Sequence, residues 1–253
     1  MTSKFLPIAL KAVKNAEKIL LKHYHGNQGI KLKADHSPVT LADKGAEKII
    51  VKTIRQVFPD HGFLGEEYGE HKGKSEYVWI IDPIDGTKNY TRHVPMFGTL
   101  LALAKSGKII LGVSNVPEMK ELMFAEKGRG AYLNDQRVKV SKVSSIEQAY
   151  LSIGSINNFY RKKLLNNILK LCLGNLHPRS ISDLWAYHLV AQGKGDIVIE
   201  NNLHIWDIAA PAVIIEEAGG KATDLKGRPI TLSSVDIVAT NKILHKKVLG
   251  FFI

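Results

Sequence analysis

WIIDPIDGTKNY, residues 79–90, is the stretch on which the reading of this chain turns. An apolar run from Val78 to Ile81 reads as a buried strand, and it ends in Asp82, Pro83, Ile84 and Asp85, followed by Gly86 and Thr87. Asp, Pro and Gly are ordinary turn residues, so a polar strand-to-helix turn accounts for the residue types. It does not account for two carboxylates so close together, which repel unless positive charge lies between them. Pro83 has no N–H and a fixed φ, so a strand broken there would point both acids to one side of a stiff turn. Ile84 could then offer its carbonyl outward. Oxygen donors of this kind suit Mg²⁺. The N–H groups at Gly86 and Thr87 would bind phosphate oxygens if a helical turn starts there, and the Thr87 hydroxyl could orient a water. The expectation is a metal-bound anion site at a strand end.

Other acids extend it. FLGEEYGE, residues 63–70, places Glu66 and Glu67 after a short apolar run; alone they would read as a solvated loop. LHIWDIAAPAVIIEEAGG, residues 203–220, places Asp207 just before an apolar helix. Asp is a favoured N-cap, and Pro211 would fall in the first turn, where its missing N–H costs little. An N-cap aspartate can still give one oxygen to a metal, and Trp206 would shield the site. In SPVTLADKGAE, residues 37–47, Thr40 and Asp43 open a second helix. They read either as a cap or as an acid taking a proton, relayed through Thr87, from an attacking water.

The rest of the chain sets bounds. Its 253 residues, 45% of them apolar, suffice for a full core in one unit over residues 1–253, which can divide into subdomains 1–145 and 146–253. The single cysteine, Cys172, excludes an internal disulfide, suits a reducing, cytoplasmic setting and reads as packing. Lys11, Lys14 and Lys18 break the apolar stretches of the N-terminal segment, which is neither a signal peptide nor a membrane span. The net charge of +11 suits a small anionic substrate. The basic residues (Lys31, Lys33 and Arg161 among them) are scattered and lack interleaved aromatics, so nucleic acid is not expected as a partner. Period and breakers predict helices over 4–25, 41–57, 160–173, 183–192 and 208–218, and one near the C-terminus. Strands are expected near 63–64 and over 77–81, 196–200 and 235–240, with hairpins over 98–116 and 121–134. Hairpins among helices argue for mixed α/β layers rather than a regular βαβ series.

GEE at 65–67, DPIDGTKNY at 82–90 and WDIAAPAVIIEEAGG at 206–220 resemble, in order and spacing, the three signatures of the inositol monophosphatase family. SPVTLAD resembles its N-terminal motif. The resemblance implies an αβαβα sandwich, a homodimer, and hydrolysis of small phosphate monoesters with two or three Mg²⁺ ions per site. It implies Glu66, Asp82, the Ile84 carbonyl, Asp85 and Asp207 as metal ligands. Glu66, Thr87 and Asp43 would act on the water. The backbone of Asp85, Gly86 and Thr87 would cradle phosphate, and Glu200 would contact substrate hydroxyls.

The substrate loop RSISDLWAYHLVAQGKGD, residues 179–196, and TRHVPMFGTLLAL, residues 91–103, look most like the histidinol-phosphatase branch, with His93 and Ser182 where that branch has glycines. Asp183 would meet a cationic amine in a site partly closed by Trp185, or would cap the helix that follows. The expected substrate is L-histidinol phosphate; inositol 1-phosphate or another sugar phosphate is the alternative. Outside the family stand a haloacid-dehalogenase-type phosphatase with a covalent aspartate, whose motif spaces its acids one residue closer, and a non-enzymatic basic binding protein.

Overall fold

The computed structural model describes residues 3–32, 38–176 and 178–253; Lys33 and Ser37 of the stretches above lie outside them. The chain opens with α1 (Leu6–Tyr24), a short ladder of β1 (Lys31–Leu32) and β2 (Pro38–Val39), and α2 (Leu41–Arg55). Then come β3 (Gly62–Gly65), β4 (Gly69–His71), β5 (Tyr77–Asp85), α3 (Thr87–Thr91), β6 (Gly98–Lys105) and β7 (Lys108–Val116). The meander β8 (Glu121–Glu126), β9 (Ala131–Leu133) and β10 (Gln136–Val138) follows. The second half holds β11 (Leu151–Ile153), α4 (Ile156–Arg161), α5 (Leu165–Leu173), β12 (Pro178–Arg179) and α6 (Asp183–Ala191). It closes with β13 (Ile197–Asn201), α7 (Ile205–Glu217), β14 (Lys221–Thr223), β15 (Asp236–Thr240) and α8 (His245–Leu249).

Strands of the first half form a sheet in the order β10-β9-β8-β7-β6-β5-β3-β4, and those of the second half a sheet in the order β12-β11-β13-β15-β14. Period two along the strands sorts side chains into layers. On β5, Trp79 and Ile81 pack against α1 and α2, while Ile80 faces the opposite way with Leu100, Ala102 and α7. On β13, Val198 faces this same middle layer, and Ile197 and Ile199 pack outward with Ile168 and Leu171 of α5 and Val248 of α8. The stack is therefore helix, sheet, helix, sheet, helix, the sandwich expected from sequence. α7 fills the middle and is apolar around its whole circumference, as a helix buried on all sides must be. Each Ile or Val buried there contributes about 1.5–3 kcal/mol.

The parity on β5 sets the site. Asp82 shares its face with Ile80 and so points into the middle layer. β3 runs parallel to β5 with Gly65 opposite Ile81, and the Glu66 N–H donates to the Ile81 carbonyl (3.2 Å). Glu66 and Asp82 are thus the next residues on two neighbouring parallel strands. Glu200 has the parity of Val198 on β13 and enters the same layer from the other sheet.

Four expectations are corrected. β5 does not stop at Ile81: it runs through Pro83 to Asp85, with a register shift between Asp82 and Asp85 against β6. Pro83 lacks a donor but keeps its acceptor, which takes the Thr99 hydroxyl (2.9 Å). Residues 160–173 are not one helix; Lys163, at φ +59°, separates α4 from α5. α7 begins at Ile205, so Asp207 is inside its first turn and not its cap. Pro211 is consequently in the helix interior, where the carbonyl of Asp207, four residues back, receives no N–H from it.

Helix α7 sits close to β7 because Gly112 has no side chain; a Cβ there would stand 2.6 Å from the Ala210 carbonyl oxygen and 2.7 Å from Val213 Cγ1. Gly112→Ala should push the helix off the sheet at a cost of about 1–3 kcal/mol, read as a drop of several degrees in Tm. An unchanged Tm would mean that the contact yields freely.

Candidate active site

Six of the carboxylates singled out in the sequence line one cleft of about 300 Å³ at the end of the middle layer: Glu66, Asp82, Asp85, Asp183, Glu200 and Asp207; Asp43 and Glu67 are not on its wall. The Ile84, Gly86, Thr87 and Lys88 residues complete its wall beside Tyr187 and Trp206. The cleft continues into a second hollow of about 370 Å³, which shares Glu66, Asp183 and Glu200 with it and adds the neutral Ser155, Asn158 and Ser182. Trp206 shields the site as expected, stacked on His204 with ring centres 4.6 Å apart. Trp185 does not: it packs against the middle-layer core and is absent from the cleft wall, where Tyr187 stands instead.

Backbone donors hold the acids in place. Asp207 Oδ2 accepts the His204 N–H (2.7 Å), so the aspartate reaches back over the helix start from its third position. Asp85 Oδ2 accepts the Leu184 N–H across the middle layer and thereby caps α6 from another strand. Asp183 is accordingly not that helix's cap. It is the first helical residue, held at φ +62°, and its Oδ2 accepts from Asn89 Nδ2 (3.1 Å). A left-handed φ is uncommon for a residue with a Cβ, though Asp tolerates it better than most. Tyr187 donates its hydroxyl to Glu200 Oε2. Neither Tyr187 nor Asn89 was found by sequence reasoning. Only the i, i+4 spacing of Asp183 and Tyr187 on α6 hinted that Tyr187 faces the same wall.

The loop after β5 follows local rules. Gly86 has φ +77°, and a Cβ there would lie 2.8 Å from the Met96 carbonyl oxygen, so glycine is required twice over. Thr87 donates its hydroxyl to the Ile84 carbonyl (2.8 Å), not to Asp43. Asp43 Oδ2 instead accepts the N–H (2.6 Å) and hydroxyl (2.7 Å) of Thr40, the capping box of α2. The expected Thr87–Asp43 relay is not made.

The electrostatics are one-sided. Burial first, then Glu66, Asp85, Asp207 and Asp43, hold the Asp82 carboxyl well above the usual carboxylate range. Asp85 is raised in the same way, by burial and then by Asp183, Asp207 and Glu200. Burial pushes Asp43 and Asp207 up to about 6 and Glu200 up to about 7. A further acid on α2, Glu47, is pushed up to about 7 by burial; it accepts N–H groups from the turn after Glu66. Among the described residues no three His, Cys, Asp or Glu side chains are arranged to hold a metal ion together as they stand. The donor set nevertheless fits a hard divalent cation. It is all oxygen, its members raise one another's pKa, and Asp82 Oδ1 is buried with no hydrogen-bond partner.

The model of the inositol monophosphatase family matches residues 1–251. The chain is 33% identical to a histidinol-phosphatase of Chlorobaculum parvum, over 97% of this chain and 95% of that one. It is also 33% identical to a fructose-1,6-bisphosphatase/inositol-1-monophosphatase of Thermotoga maritima, over 96% and 93% of the two chains. Among solved structures, the extragenic suppressor protein suhB of Bartonella henselae matches with a TM-score of 0.92 at 31% identity, covering 99% of this chain and 98% of that one.

In chelator, stability should fall as pH rises. Asp43, Asp207, Glu47 and Glu200 have folded pKa values of about 6 to 7, above their ordinary 3.8 and 4.5. Their contribution is therefore full below about pH 4 and is lost as pH climbs through 6 and 7. Urea midpoints in EDTA should be lower at pH 8 than at pH 5.5, and the difference should shrink in Glu200→Gln. A midpoint that rises from pH 5.5 to 8 would contradict the shifts.

Proposed function

The chain belongs to the inositol monophosphatase family and is a phosphatase, and on that premise we propose that this cleft hydrolyses the phosphate monoester of a small cationic alcohol, most closely L-histidinol phosphate. The observation that carries the substrate is the carboxylate of Asp183. Asp183 is the first helical residue of α6 rather than its cap, accepts from Asn89, and lines the cleft beside Glu200. Two acids on the wall formed by α6 and β13 suit an ammonium or imidazolium better than a neutral polyol. The similarity to a histidinol-phosphatase supports the same reading. One feature favours inositol 1-phosphate as a second reading: the adjoining hollow offers Ser155, Asn158 and Ser182, neutral groups suited to hydroxyls.

Glu66, Asp82, the Ile84 carbonyl, Asp85 and Asp207 would hold two or three Mg²⁺ ions. Their charge would acidify a water and neutralise the phosphate. The first N–H groups of α3 have no carbonyl one turn earlier and are available to phosphate oxygens. Lys88, on the cleft wall, adds a cation at the same end. Thr87 donates its hydrogen to Ile84, so its oxygen is left to accept one from the attacking water and fix its direction. Asp43, whose carboxyl burial pushes up to about 6, lies off the cleft wall with Oδ2 taken by Thr40, so no hydrogen bond leads to it from the water through Thr87. Water attacks phosphorus, the ester oxygen leaves as the alcohol, and inorganic phosphate remains; no protein–phosphate bond forms.

EDTA should abolish turnover and Mg²⁺ restore it, and Asp82→Asn should lose at least roughly 100-fold in rate. Full activity in EDTA, or an aspartyl-phosphate trapped by acid quench, would overturn the mechanism. For the substrate, Asp183→Asn should cost about 2–5 kcal/mol in kcat/KM for histidinol phosphate and far less for inositol 1-phosphate. Equal losses on both substrates would assign Asp183 to loop structure. A wild-type preference for inositol 1-phosphate would establish the second reading.

A further inference from the structure

Glu47 is a buried acid that the chemistry above does not use. It lies one turn after Asp43 on α2, is 1% exposed, and has no ion-pair partner among the described residues. An acid so placed is expensive unless its oxygens are matched by donors. Both oxygens are matched, by two consecutive peptide groups. The Glu67 N–H donates to Oε2 (2.9 Å) and the Tyr68 N–H to Oε1 (3.2 Å). The peptide just before them, the N–H of Glu66, donates to the Ile81 carbonyl on β5. Three successive N–H groups around Glu66 are thus committed, one to the strand that carries Asp82 and two to Glu47.

Gly65 completes the arrangement. A Cβ at that position would overlap the Glu47 carboxylate outright, with Oε2 2.9 Å away and the other oxygen nearer still. The carboxylate occupies the space of the missing side chain. The glycine of the Gly65-Glu66-Glu67 run is therefore explained by an acid on a helix distant in sequence, not by its own backbone angles, since Gly65 has no left-handed φ. A glutamine at 47 could fill the volume, but it could not accept one N–H on each of two terminal oxygens.

We propose that Glu47 is a positioning residue, whose carboxylate clasps the peptide N–H groups of residues 67 and 68 against Gly65 and so fixes where Glu66 stands beside Asp82. The clasp acts on cation affinity through the backbone and touches neither substrate nor reacting atoms. It rests on the reading of Glu66 as a metal ligand, and the test separates the two.

The test titrates Mg²⁺ alone into the purified full chain by calorimetry and by Mg²⁺-dependent thermal shift, for wild type, Glu47→Gln, Gly65→Ala and Glu66→Gln. Gln at 47 keeps the shape but turns a donor toward one of the two N–H groups; Ala at 65 displaces the carboxylate from the other side. Both should weaken Mg²⁺ binding on the order of 10-fold or more, as loss of a ligand's supporting hydrogen bonds does. With saturating Mg²⁺, KM for the phosphate ester should stay within about twofold, a pattern that general loosening of the fold would not give. If Glu47→Gln lowers Tm without moving the Mg²⁺ titration while Glu66→Gln moves it, Glu47 is merely structural and the proposal fails. If Glu66→Gln leaves the titration unmoved, the ligand reading itself fails. Should Glu47→Gln not fold, Gly65→Ala decides the question on the same criteria.

Discussion

Like charges at the end of β5 repel one another where burial has removed most of the water, and the chain holds them there with peptide groups. Asp85 leans on Leu184, Asp207 on His204, and the turn after Glu66 on Glu47. Among the described residues, Asp82, Asp85, Asp183, Glu200 and Asp207 form no ion pair with a lysine or arginine. An arrangement of this kind stores unfavourable electrostatics in the folded state. The sheets and the three apolar clusters around it supply the stability that lets it persist.

The same layers explain why the acids meet. Parallel pairing of β3 with β5 places Glu66 next to Asp82. The pleat of β13 turns Glu200 inward from the other sheet, and the first turn of α7 brings Asp207 up from between the sheets. α6 is steadied where it crosses: His188 shares hydrogen bonds with Glu121 on β8 (2.9 Å) and Ser114 on β7 (2.8 Å), tying the helix behind Asp183 to the larger sheet.

Periodic features were legible in the sequence. α1, α2, the long hairpin of β6 and β7 and the inward face of β5 follow from apolar spacing, and the acids of the cleft follow from their motifs. What could not be read is what depends on distant partners. Pro83 argued for a broken strand, yet β6 pairs across it through a register shift. Asp183 carried the signature of a cap, but it is the first helical residue, and Asp85, far away in sequence, accepts the Leu184 N–H at the helix start. Asp207 was placed one turn too early because apolar periodicity does not register residues 205–207 as helix. Glu47 gave no signal at all, since an acid on an amphipathic helix ordinarily points to water. His93 stands at φ +56°, packed on the ring of Tyr24, at a place where a glycine would carry no strain; sequence showed the substitution but not its geometry.

Two walls of the cleft come from different stretches of the chain. The wall from Asp82 to Lys88 is built on the larger sheet, whereas Asp183, Tyr187 and Glu200 come from one helix and one strand of the later half. Divergence within that later stretch would redraw one wall of the cleft and leave the other as it stands. Chains that are equally distant from this one can therefore bear the names of different phosphate esters.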